Sequence, residues 1–143
     1  MISTEAEKLR FKLTIPKEAR PYADDILTVA RDENVSPFLI VALGMRETRW
    51  GTARGYEPKG PAGRGDAGHG HGLMQIDNRF FGDWLSRNNW QIPYVSIRKA
   101  IQILKGKLTF LSSKQSVTGL TDGTTVTVSA RQAERRGVQP GAY

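Results

Sequence analysis

The sequence predicts a mainly helical domain of the α+β kind, with one long irregular loop set between its helices. Three observations predict it. Ile97, Ile101, Leu104, Leu108 and Leu111 step by four, three, four and three, which lays one apolar stripe along a helix from Tyr94 to Leu111. Ser36 and Pro37 open a second helix: a serine oxygen can cap the first free N–H groups, and proline suits a position whose N–H needs no partner. Between these two helices, residues 51–72 hold eight of the fifteen glycines (51, 55, 60, 63, 65, 68, 70 and 72), a density that excludes regular helix or strand.

Taken in order, residues 1–20 are charged and broken by Pro16, with Pro21 close behind, and read as an extended lead-in. From Tyr22 to Asn34, Ile26, Val29 and Ala30 recur at helical spacing on a polar segment, giving a short amphipathic helix. Phe38 to Arg49 reads as a mostly buried helix ended by Gly51. After the glycine-rich loop, Leu73 to Asp77 re-enters the core as a short strand, and Phe80, Phe81, Trp84 and Leu85 suggest a short aromatic helix. Beyond the long helix, Val117 to Ser129 is rich in threonine, valine and glycine. Its Asp122-Gly123 pair fits a hairpin turn, and Ala130 to Tyr143 reads as a loose, basic end. The expected organisation is a lead-in over 1–20, a folded helical domain over 21–113 and an atypical tail over 114–143.

Composition narrows the function. A chain of 143 residues is one domain's worth, and its lack of cysteine leaves packing alone to hold the fold. No apolar run approaches the roughly eighteen residues a bilayer crossing requires, and Met1 to Glu7 lack the features of a secretory signal. The net charge of +7 draws the protein toward polyanions. The basic residues are dispersed, however, with no basic helical face and no aromatic–basic stripe, so nucleic acid is not the expected partner. An acidic cell wall explains the charge at least as well.

Three acids are candidates for chemistry. Glu47 ends an apolar helix, where the dipole opposes a carboxylate and poor solvation favours its neutral form. Asp66 lies in the glycine-rich loop beside Arg64, where N–H groups and a cation stabilise an anion. Asp77 follows the loop. Two carboxylates in different environments are what glycoside cleavage needs: an acid for the leaving oxygen and a base for water. Each residue also has a plainer reading, as a surface ion-pair partner of Arg46 or Arg49, an Asx-turn residue and a helix N-cap respectively. His69 and His71 have no further ligands at metal-binding spacing, so no metal is expected, and no cofactor either. The loop also lacks the Gly-Lys-Ser/Thr of a phosphate-binding loop. Of the aromatics flanking the loop, Trp50 is the better candidate for stacking on a sugar, whereas Trp84 reads as core.

Two segments, Gly44-Met45-Arg46-Glu47-Thr48-Arg49-Trp50-Gly51 and Gly63 to Asp77 with its Gly72-Leu73-Met74-Gln75-Ile76 stretch, together resemble the goose-type lysozymes and soluble lytic transglycosylases. The resemblance runs from about Asp25 to Leu111. It implies a lysozyme-like helical fold with a small sheet or irregular loop region beside the cleft. It also implies hydrolysis of the bond from N-acetylmuramic acid to N-acetylglucosamine in peptidoglycan, a bacteriolytic activity exercised outside the cell, in the periplasm or by phage delivery. Carried over by motif, Glu47 is the general acid, and Asp66 and Asp77 position the attacking water, with Asp77 the better-placed base. Trp50, His71, Gly72, Gln75 and Ile76 are the expected substrate-binding residues, with peptidoglycan strands as the partner.

The chain departs from the family after the long helix, where relatives carry an Ala-Tyr-Asn motif. Ala142-Tyr143 stand at the end of the sequence and no such segment precedes them, so the tail is expected to be truncated or diverged. Two rivals follow: a lytic transglycosylase, which needs one glutamate and leaves anhydro ends, and an inactive peptidoglycan-binding remnant.

Overall fold

The computed structural model describes residues 2–112, 115–117 and 126–128. The chain divides into two units, residues 1–101 and 102–143, and the candidate residues all lie in the first. Among the described residues the fold is mainly helical: α1 (Glu5–Thr14), α2 (Ala23–Glu33), α3 (Pro37–Thr48), α4 (Asn78–Arg87) and α5 (Pro93–Ser112). Between α3 and α4 lies a small antiparallel meander of two-residue strands, β1 (Arg64–Gly65), β2 (Gly70–His71) and β3 (Ile76–Asp77). No described helix is long and apolar enough to cross a membrane.

The first segment corrects the expectation of an extended lead-in. Thr4 accepts from the Glu7 N–H at 3.1 Å, while the Glu7 carboxylate accepts from the Thr4 N–H at 3.0 Å. This reciprocal cap satisfies two donors that a helix start leaves orphaned, and it starts α1 well before Pro16. Only Phe11 of that helix is buried, so its apolar periodicity is faint. Phe11 meets Phe38 edge to face, and Ile15 and Ala19 continue into the core, so the segment belongs to the folded body.

The expected α2 and α3 are present, with Ser36 capping α3 through the Phe38 N–H and Pro37 at its first position. Burial of α3 is one-sided: Ile40, Val41, Gly44 and Thr48 face inward, while Phe38 and Leu39 are exposed. At the other end of α2, Asp32 accepts from the Tyr94 hydroxyl, which accepts from Arg98, and Arg98 pairs with Glu33. That network fastens the end of α2 to the start of α5. Ile97 and Ile101 of the α5 stripe, and Ala100 beside them, are fully buried, whereas Leu108 is half exposed.

In the second unit, β4 (Gln115–Val117) and β5 (Val126–Val128) pair antiparallel with Ser116 opposite Thr127, the pairing a hairpin requires. The Asp122-Gly123 turn and the end from Ala130 to Tyr143 lie outside the described residues.

Thr48 joins helix to loop. Its buried hydroxyl donates to the Leu73 carbonyl at 2.8 Å and accepts from the Gly51 N–H at 2.9 Å. Thr48→Val keeps the shape and removes both bonds, leaving the Leu73 carbonyl short of a partner while the Gly51 N–H keeps the Thr48 backbone carbonyl. The expected cost is about 1–3 kcal/mol, read as a lower urea midpoint, whereas Thr48→Ser should retain most of the stability.

Candidate active site

Glu47 stands in the last turn of α3, half buried. The helix ends because Arg49 and Trp50 both turn left-handed, at φ 47° and 53°. This reversal swings the Trp50 indole back onto its own helix, where Nε1 donates to the Val41 carbonyl at 3.0 Å and the ring lies against Gly44. A Cβ on Gly44 would sit 2.2 Å from that ring, so only glycine fits there. Trp50 is 1% exposed and stacks on Tyr22. The expectation that it stacks on a sugar is therefore corrected: Trp50 shapes the base on which Glu47 stands. Arg49 pairs with Glu18.

The glycine-rich loop is ordered. The Tyr56 hydroxyl donates to the Gly60 carbonyl and accepts from the Gly63 N–H, and its pKa is pushed up to about 12 by burial. Lys59 closes the turn through the carbonyls of Ala53 and Tyr56. Glu57 and Arg64 exchange backbone hydrogen bonds, which leads the chain into β1.

The meander then sets one cross-strand row, Gly65–Gly70–Asp77. The two glycines leave room for the Gln75 amide, which would lie 2.5 and 2.1 Å from a Cβ on Gly65 and Gly70. Gln75 also donates to the Gly72 carbonyl. Its side chain thus packs across the sheet. Ile76 is buried at 2% exposure, and its side chain is core where substrate contact was expected. His71 is buried too, with Nδ1 2.9 Å from the His69 carbonyl and its ring edge-on to Trp90. Gly72, at φ 74°, turns β2 toward β3. Trp84 is only partly covered, against the expectation of core, and Lys99 lies over its ring; Leu85 is the buried residue of α4.

Asp66 and Asp77 do come together, through a residue the sequence did not single out. Arg79 donates from Nη2 to Asp66 Oδ2 at 2.7 Å and to Asp77 Oδ2 at 2.6 Å, and from Nε to both Asp77 oxygens. Arg64, the expected partner of Asp66, instead places its guanidinium over Trp90. Asp77 also caps α4, its Oδ1 accepting from the Arg79 N–H at 2.8 Å, so the plainer reading of Asp77 holds alongside any other role. The Asp77 side chain is 14% exposed against 62% for Asp66.

The Arg79 hydrogen bonds hold the Asp77 carboxyl down at about 2. A folded-state value below the unfolded one means the carboxylate contributes stability above the ordinary carboxylate range. That contribution is lost as pH falls from about 4 toward 2. Asp77→Asn keeps a good cap and removes this pH dependence. Asp77→Ala should cost about 1 kcal/mol more, since alanine cannot cap. Thermal melts of the two variants across pH 2–6 (an interval set by these values) check both statements.

Among the described residues, no group of three or more His, Asp or Glu side chains is placed to hold a metal ion. Compared with known proteins, the chain matches no family model and no curated sequence.

Proposed function

We propose that this protein is a lysozyme-like peptidoglycan glycosidase in which Glu47 protonates the glycosidic oxygen and a carboxylate of the Asp66–Asp77 pair activates water. The observation that carries the reading is the Thr48 hydroxyl on the Leu73 carbonyl. It ties the helix turn bearing Glu47 to the segment that leads into Asp77, so the two stretches carrying the family resemblance form one local structure.

The balance between the aspartates favours Asp66 as the base. Asp77 has both oxygens engaged by Arg79 and a carboxyl near 2, which makes it a poor proton acceptor. The same engagement favours a second reading, a lytic transglycosylase in which Glu47 works alone and the sugar's own hydroxyl attacks.

Digestion of purified peptidoglycan by the full chain, with mass analysis of the released ends, tests both readings. Reducing ends support the hydrolase, and anhydromuramoyl ends move the protein to the transglycosylases. Binding to the wall with no release would make it a peptidoglycan-binding remnant.

A further inference from the structure

We propose that Arg79 is a positioning residue of this site, one whose guanidinium spans the meander to hold Asp66 beside Asp77 as the carboxylate left to water. The inference rests on the hydrolase reading above and goes beyond it by assigning unequal roles to the two aspartates and naming what makes them unequal.

The topology creates the need. Asp66 follows β1 and Asp77 ends β3, and β2 lies between those strands. Two strand spacings separate their backbones by about 10 Å, too far for the two carboxylates to share a water unless one leans across. The row between them is glycine at Gly65 and Gly70, so no β-carbon stands there, and Gln75 fills the space. Arg79, in the first turn of α4, is the residue that bridges the gap. Its Nη2 contacts one oxygen of each acid, at 2.7 and 2.6 Å.

The backbone of the Asp66 loop shows why a tether matters. Asp66, Ala67 and Gly68 are successively left-handed, at φ 50°, 54° and 90°. For two residues with a Cβ this conformation is unfavourable, and it persists where surrounding contacts over-determine it. The Asp66–Arg79 ion pair is such a contact, and the His69 N–H on the Asp66 carbonyl is another.

The tether also treats the two acids differently. Asp77 gives both oxygens to Arg79 and to the α4 cap, whereas Asp66 gives only Oδ2 and leaves Oδ1 unengaged among the described residues. With 62% of its side chain exposed, Asp66 is open to water on that side. Arg79 thus consumes one carboxylate as an anchor and presents the other.

Steady-state kinetics on soluble peptidoglycan fragments, with Arg79→Met, Arg79→Lys, Asp66→Asn and the double variant Arg79→Met/Asp66→Asn, test the assignment. Arg79→Met should lower kcat about ten- to a hundredfold with KM nearly unchanged, and Arg79→Lys should recover part of it. In the Asp66→Asn background, Arg79→Met should cost nothing further, because the residue it acts through is already gone. Thermal midpoints separate this from unfolding: Arg79→Met also removes the bonds to Asp77, so a modest drop is expected, one that leaves the protein folded at the assay temperature. An active wild type in which Arg79→Met leaves kcat intact, or lowers it equally with and without Asp66, overturns the positioning role alone. The role also falls if the loss only tracks the melting temperature. A wild type that releases no reducing ends withdraws the hydrolase reading, and this assignment falls with it.

Discussion

Glu47→Gln is expected to lower fragment release from peptidoglycan by about 10²–10⁴-fold, the usual worth of a positioned general acid. The amide matches the carboxyl in size and keeps a polar group in the last turn of α3, so the fold should survive. Circular dichroism and the thermal midpoint should match wild type. Glu47→Asp draws the carboxyl back by one methylene and should be severely impaired as well, since proton transfer depends on reach before acidity. A Glu47→Gln protein that retains wild-type release would show that the acid lies elsewhere, and Glu47 would then be an ordinary helix-end charge.

Trp50→Ala carries the largest expected stability change. The indole is 1% exposed, stacks on Tyr22, fills the space that Gly44 leaves open and satisfies the Val41 carbonyl. Truncation removes all of these at once and leaves a cavity against α3, at a cost of about 3–5 kcal/mol. Domains of this size hold only about 5–15 kcal/mol in total, so urea unfolding should show a midpoint reduced by about a fifth or more. Trp84→Ala is the contrast: that ring is partly covered, and its replacement should cost much less. Equal losses at the two positions would contradict the burial pattern.

The elements that read correctly from the sequence have strong local signals. Ser36-Pro37 marks the start of α3 and the stripe through Ile97 and Ile101 marks α5, whereas the glycines of residues 51–72, expected to exclude regular structure, still admit the short strands β1 and β2. The first helix was masked because two prolines nearby outweighed a capping pair, Thr4 with Glu7, on a helix that buries only one side chain. Trp50 follows the same logic in reverse. Its position beside Glu47 suggests a cleft, but a glycine six residues earlier inside a helix is the signal that something large packs on that helix.

The candidate site was legible in part. Glu47, Asp66 and Asp77 could be named as a set from residue type and order. The partner of Asp66 could not, because Arg79 lies thirteen residues away and its reach depends on the register of a three-stranded meander. A sequence shows Arg64 as the nearest cation, and only the fold turns that side chain toward Trp90.

The way Trp50 closes on its own helix bears on the order in which the molecule assembles. Its bond to Val41 spans nine residues, and its contact with Gly44 spans six. Loops this short cost little entropy to close and form early on the folding timescale. The link from Thr48 to Leu73 spans twenty-five residues and requires the glycine-rich loop to have found its path. The helix end beneath Glu47 thus rests on short-range contacts, and the aspartate-bearing sheet is joined to it by a long-range one.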